Sequence, residues 1–187
     1  MPNWVNHEML IIGNQDRVDE CIKFLSNTIT DEGHLYYTAF DFNKVIPQPK
    51  EFDDTRSPND KVEQAKELLE KYGAEDWYVW RRKNWNTKWN AHCAVNDGNI
   101  IEFETAWNTP RNVIKKLSTM YPDLSFEIIY ADEDWGYNYG AYTFVNGEYT
   151  FDEIYSVENG DPDEIISRLW SGYDEWKAER AKNEPVD

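Results

Sequence analysis

No stretch of the 187 residues is both long and apolar; the longest apolar run is Met9-Leu10-Ile11-Ile12, far short of the roughly 20 residues a membrane span requires. The opening Met1-Pro2-Asn3-Trp4-Val5-Asn6 lacks the basic and apolar regions of a secretory signal. Two cysteines permit one disulfide but do not require it: Cys21 falls in a helical pattern and Cys93 in a strand pattern. The sequence therefore predicts a soluble protein of a reducing cytoplasm. Basic side chains are scarce, 19 against 36 acidic ones, for a net charge of −17. That balance argues against binding a phosphate backbone, whose energy comes from clustered Lys and Arg. No glycine-rich phosphate loop, nucleophile elbow or kinase signature is present. His7, His34, His92 and Cys93 show no Cys-x-x-Cys or His-x-x-x-His spacing, and adjacent strand residues such as His92 and Cys93 are expected on opposite faces. Asp132-Glu133-Asp134 lacks the calcium-loop register. The expectation is no metal, no cofactor and no catalytic residue, and a non-enzymatic protein before an enzyme.

Aromatics, in contrast, make up 16% of the chain, with nine tryptophans, and supply the apolar area a core needs. Residues 4–12 read as a strand ending at Gly13. Asn14 caps a helix in which Val18, Cys21, Ile22 and Leu25 share a face. Residues 35–46 are aromatic and β-branched and read as a second strand, stopped by Pro47-Gln48-Pro49. Ser57-Pro58-Asn59-Asp60 predicts a helix start, with Val62, Ala65, Leu69 and Tyr72 on one face and Gly73 as its C-terminal cap. Strands over 91–96 and 99–106 flank the turn Asn96-Asp97-Gly98-Asn99. Thr109-Pro110 opens a helix burying Val113, Ile114, Leu117 and Tyr121; a strand over 125–131 and a hairpin around Asn146-Gly147 follow. Asp161 is placed to cap a final helix, with Ile165, Ile166, Leu169, Trp170, Tyr173 and Trp176 as its apolar stripe.

This order contains a split β-α-β pattern, so the predicted fold is ferredoxin-like α+β, an antiparallel sheet carrying a helical insertion and a C-terminal β-hairpin plus helix. The predicted domain covers residues 1–145 with the insertion at about 48–90, and residues 146–187 form an acidic extension packed on it.

Four blocks in order carry a resemblance: Met1–Asn6, Asn84-Trp85-Asn86-Thr87-Lys88-Trp89-Asn90-Ala91, Phe103–Pro110, and Tyr121–Phe126 followed by the Tyr137–Gly140 turn. Together they make the chain similar to the YubB/Api92-like family of phages, plasmids and related mobile elements. The resemblance implies a ferredoxin-like fold, a mobile-element accessory role in the host cytoplasm, and no known activity. Asn86 stands where the family's block resembles Asn-Trp-Gly-Thr-Lys-Trp; if that position needs a positive φ, asparagine is the best substitute for glycine.

Two candidate surfaces emerge. Trp85, Lys88, Trp89, Asn90, Thr105, Trp107 and Asn108 combine stacking rings with polar groups near a helix start, which suits a small ligand or nucleotide; the competing reading is a buried tryptophan cluster. Arg81-Arg82-Lys83 is expected to pair with the protein's own carboxylates. The second surface follows from charge placement. Residues 1–122 hold 19 acids and 15 bases, whereas residues 123–187 hold 17 acids and only 4 bases. Glu148, Asp152, Glu153, Glu158, Asp161, Asp163, Glu164, Asp174 and Glu175 are the candidate contacts for a basic host protein, a nucleic-acid mimicry that works by charge complementarity. Neither direct nucleic-acid binding nor a membrane partner is expected, and the oligomeric state is left open.

Overall fold

The computed structural model describes residues 2–31, 34–153 and 162–183. Strand β1 (Trp4–Ile12) alternates in burial, with Val5, His7, Met9 and Ile11 on one face. After it comes α1 (Gln15–Leu25), capped by the Asn14 side chain, which accepts the Asp16 N–H. A hairpin of β2 (Asn27–Asp31) and β3 (His34–Thr38) forms a separate two-stranded sheet. Next are the short α2 (Phe42–Val45), a 3-10 turn at Lys50–Phe52, α3 (Val62–Tyr72) and α4 (Trp77–Asn84). Then β4 (His92–Asp97), β5 (Ile100–Ala106), α5 (Arg111–Met120), β6 (Ser125–Asp132), β7 (Tyr139–Val145) and β8 (Glu148–Glu153) lead to α6 (Pro162–Leu169) and α7 (Tyr173–Asn183).

The main sheet has the order β4-β5-β1-β6-β7-β8, with every pair antiparallel. Within it β1-α1-β4-β5-α5-β6 is the split β-α-β unit, β1 lying between β5 and β6; the fold is ferredoxin-like, extended by β7 and β8 beyond β6. Val18, Cys21 and Leu25 of α1 and Val113, Ile114 and Leu117 of α5 are buried with Val5, Met9 and Ile11 in the principal core. Even-numbered residues of β1 point to the other face. There the Asn6 side chain donates to the Leu169 carbonyl, and Glu8 accepts Arg168 of α6. The C-terminal segment thus covers the sheet's second face, around a small cluster of Ala131, Tyr139, Ile166 and Tyr173. Among the described residues no helix is long and apolar enough to cross a membrane.

Four local expectations are corrected. Residues 35–46 are not one strand of the main sheet: β3 ends at Thr38 and pairs with β2. The Asp41 carboxylate then accepts the Asn43 N–H and turns the chain into α2, which buries Phe42 and Val45. Helix α3 starts at Val62 rather than at Ser57-Pro58, because the Asn59 side chain holds an earlier turn by accepting the Lys61 N–H and donating to the Glu75 carbonyl. Its buried residue is Leu68, and Val62 and Leu69 are exposed. The final helix is two, α6 and α7, separated at Gly172 with φ +94°, a conformation open to glycine. Helix α4 had no clear periodic signal; the buried Asp76 creates it by accepting the Val79 N–H at 2.9 Å. The expected Asp161 cap lies outside the described residues.

Candidate functional site

The tryptophan-rich block 84–91 is tied down almost residue by residue. Asn86 has φ +68°, the left-handed conformation for which asparagine is the best-suited non-glycine residue, and its amide donates to the Thr109 carbonyl. Thr87 is buried and donates to the Ala106 carbonyl at 2.8 Å. Asn90 uses both ends of its amide: the oxygen accepts the Phe42 N–H, and the nitrogen donates to Asp41 at 2.7 Å. Trp85 is fully buried, packed edge-on against Phe42 and Trp80, with its indole N–H on the Ile46 carbonyl. Thr105 is likewise fully buried and donates to the Asn108 carbonyl. Asn108 is exposed.

What reaches the surface from this candidate set is a cation laid over rings. The Lys88 ammonium lies 4.5 Å from the Trp89 ring centroid and 5.1 Å from that of Trp107, a cation–π arrangement. Trp89 packs beside Trp4, and Trp4 stacks on His92 with centroids 4.8 Å apart. A cavity of about 440 Å³ opens between Trp4, Trp85, Trp89, Asn90 and the β2–β3 hairpin. The structure therefore brings Lys88, Trp89 and Trp107 together and takes Trp85 and Thr105 into the core. Asn90 holds α2: Asn90→Ala should destabilise the protein by about 1–3 kcal/mol, because it orphans the Phe42 N–H and removes one of the donors to Asp41, which keeps Asn43 and Asn27. Urea unfolding measures this, and an unchanged midpoint would remove Asn90 from the anchoring role.

Arg81, Arg82 and Lys83 do not pair with carboxylates as expected; among the described residues their contacts are rings, a tyrosine hydroxyl, an amide and a carbonyl. Arg81 sits 5.0 Å from the ring centroids of both Trp77 and Trp85 and donates to Gln48; burial lowers its pKa from the usual value, partly opposed by Asp53. Arg82 lies over Tyr78, and Lys83 approaches the Gly73 carbonyl. Trp77 and Tyr78 lie four positions before Arg81 and Arg82 on the same helix, so rings are the nearer partners of those two.

The acidic candidates spread over β8, α6 and α7. Asp163 is already engaged, accepting from the Tyr173 hydroxyl and pairing with Lys177. Glu148, Glu164, Asp174 and Glu175 are exposed. Asp152 and Glu153 lie on β8, in register with Tyr142 and Ala141 of β7; Glu158 and Asp161 lie outside the described residues.

A feature missed in the sequence adjoins this acidic segment. In the β6–β7 turn, Asp132 is buried and braces the loop by accepting the Asp134 N–H and the Asn138 amide. Asn3 donates to Asp134 at 2.6 Å. The turn presents Glu133, Asp134, Trp135 and Tyr137 opposite Trp176 of α7, lining a cleft of about 530 Å³. Trp135 meets Tyr173 and Trp176 edge-on at 5.4 and 5.3 Å, while Tyr137 is 76% exposed. The signal was present as three acids, 132–134, followed by the aromatics Trp135, Tyr137 and Tyr139, but the sequence alone does not place Trp176 across from them.

Cys93 and His92 also depart from expectation. They were expected on opposite faces, yet Cys93 has φ +49° at a register shift in β4, and its thiol lies 3.8 Å from His92 Nε2. Burial, and then the Glu104 charge, push the Cys93 thiol above its usual range, which disfavours a standing thiolate nucleophile.

The comparison with curated proteins gives no match. Among solved structures the chain is similar to the crystal structure of protein Api92 from Yersinia pseudotuberculosis, at 7% identity over 86% of this chain and 100% of that one, with a TM-score of 0.48. Residues 84–168 match the family model described as the ferredoxin-like domain in Api92-like protein. The matched segment begins with the tryptophan-rich block and ends within α6, so β1 and α1, which complete the split β-α-β unit, precede it. Over residues 84–168 the chain is thus similar to the ferredoxin-like domain of Api92-like proteins.

Proposed function

We propose that this chain is a non-enzymatic binding protein that captures a basic segment of another protein through its acidic C-terminal third. The observation that carries this reading is the cleft formed by Glu133, Asp134, Trp135, Tyr137 and Trp176. Carboxylates beside the exposed Tyr137 ring suit lysine and arginine side chains, which gain Coulomb attraction and cation–π contact together. Trp176 already carries such a cation, the Arg180 guanidinium 5.2 Å from its ring centroid. The charge count supports it, with 17 acids and 4 bases in residues 123–187. Exposed Glu148, Glu164, Asp174 and Glu175 extend the negative potential and steer a basic partner toward the cleft. The reading places the protein in the cytoplasm as a mobile-element accessory factor, as its family resemblance implies, with a basic host protein as the partner and nucleic-acid mimicry as the mode of capture.

A small ligand or nucleotide at the tryptophan-rich block has weaker support. Trp85 and Thr105 are fully buried, and Lys88 lies over the Trp89 and Trp107 rings on which a base would stack.

The test is titration of the protein with a synthetic Lys/Arg-rich peptide, followed by tryptophan fluorescence at low and high salt. Glu133→Lys combined with Trp176→Ala should weaken binding at least about tenfold, equivalent to about 1.4 kcal/mol. The wild-type affinity should fall steeply with salt, as exposed charge attraction is screened within about 10 Å at 0.1 M. Equal affinity of wild type and double variant would overturn the proposal.

A further inference from the structure

We infer that His92, Cys93 and Glu104 form a binding site for a divalent transition-metal ion of the zinc class, at the bulged edge of the main sheet. The inference is independent of the acidic cleft. In the pairing of β4 with β5, His92 faces Glu104 and Val95 faces Glu102. Three steps along β4 therefore match two along β5, so one extra residue is inserted on the β4 side. Such a bulge re-aims a side chain, and here the left-handed backbone of Cys93 turns its thiol toward its neighbour His92 instead of to the opposite face.

Three different donors converge as a result. The His92 Nδ1 and a Glu104 carboxylate oxygen are 2.9 Å apart, and the Cys93 Sγ lies 3.8 Å from His92 Nε2. One donor atom from each residue can be chosen so that all three lie within 4.8 Å of one another. Tetrahedral zinc, with bonds of about 2.3 Å to sulfur and about 2.0 Å to nitrogen, requires the two ligand atoms to be roughly 3.6 Å apart. The observed thiol–imidazole separation is within a few tenths of an ångström of that requirement. With the ion on Nε2 and Sγ, Glu104 retains the hydrogen bond from Nδ1–H and fixes the tautomer, the usual carboxylate–histidine–metal relation. Glu104 thus orients the ring rather than touching the ion, and water completes the coordination.

The donor chemistry selects the class of ion. A sulfur and an imidazole nitrogen do not suit calcium or magnesium, which take oxygen ligands; sulfur, nitrogen and oxygen together suit zinc and its neighbours. The imidazole is held in place by stacking on Trp4. Access is open, since the side chain of His92 is 55% exposed and that of Glu104 32%. The other cysteine, Cys21, is buried on the core face of α1 and cannot substitute.

Cobalt(II) serves as a spectroscopic probe of the full chain under reducing conditions. Thiolate ligation should give a sulfur-to-cobalt charge-transfer band that saturates at one equivalent, and zinc should displace it. Cys93→Ser should abolish the band and His92→Gln should weaken binding at least about tenfold, whereas Cys21→Ser should leave the band intact. All three variants are compared by circular dichroism to confirm that they fold. Absence of the band in the wild-type protein, or its persistence in Cys93→Ser, would overturn the assignment.

Discussion

Acidification should unfold this protein through His7 well before its carboxylates are exhausted. The imidazole lies at the centre of β1, fully buried, face to face with Phe103 at 4.6 Å and near Tyr130. Among the described residues neither ring nitrogen has a hydrogen-bond partner. Burial lowers its pKa from 6.5 to about 3, only partly offset by the nearby backbone of Phe103 and Val5, which stays outside hydrogen-bond geometry. The unfolded chain binds the proton near 6.5 and the folded chain does not, so between these values the unfolded state carries the extra proton. The stability associated with neutral His7 is present in full above 6.5, declines as pH falls toward about 3, and then levels off. At about 1.4 kcal/mol per pKa unit, the loss across the window is on the order of 5 kcal/mol.

His7→Leu, which exchanges the ring for an apolar side chain of similar size, should be at least as stable as the wild type at neutral pH, since it removes an unpaired buried polar group. Its unfolding free energy should also lose the slope between 6.5 and about 3 that the wild type shows. Urea unfolding across a pH series measures both quantities. Parallel curves for the two proteins would show that His7 does not set the acid limit.

Trp85→Ala should be the most destabilising truncation in the tryptophan-rich block, at about 3–5 kcal/mol. The residue is fully buried and makes edge-on contacts with Phe42 and Trp80 at 5.7 Å each. It also satisfies the Ile46 carbonyl and carries the Arg81 guanidinium over its ring. Truncation leaves a cavity, an unpaired carbonyl and a half-buried cation without its platform, and the surrounding helices α2 and α4 cannot collapse onto all three. Trp89→Ala, whose ring is partly exposed beside Lys88, should cost well under half as much. Chemical denaturation of the pair separates a core tryptophan from a surface one; equal losses would mean that Trp85 does not anchor the insertion.

The two variants illustrate why the sequence could not sort its own tryptophans. Trp85 and Trp89 sit four positions apart in the same block with similar neighbours, and nothing in that local pattern separates them. The helix ends at Asn84, and the left-handed Asn86 turns the chain so that the two rings separate, one inward and one toward Trp4. The same applies to His92 and Cys93, for which strict strand alternation predicts opposite faces and the bulge at Cys93 reverses the prediction. Regular periodicity is legible because it repeats over many residues; a single left-handed residue leaves no periodic trace.

Several elements were determined by the sequence itself. The apolar alternation of β1, the capped α1, the turns at Gly98 and Asn146-Gly147, and the α5 face of Val113, Ile114 and Leu117 all stand where local patterning puts them. They specify the ferredoxin-like order because each depends on hydrogen bonding and burial within a few residues. The concentration of negative charge in the last third is equally a property of the chain, since a count needs no coordinates. The tertiary structure alone decided which groups meet. It set the acids of the β6–β7 turn across from Trp176, laid Lys88 over two indoles rather than against a carboxylate, and placed in the core a histidine that finds no hydrogen-bond partner among the described residues. Such meetings join residues tens of positions apart, and their geometry is fixed by packing the helices on the two faces of the sheet, information that no local window of sequence contains.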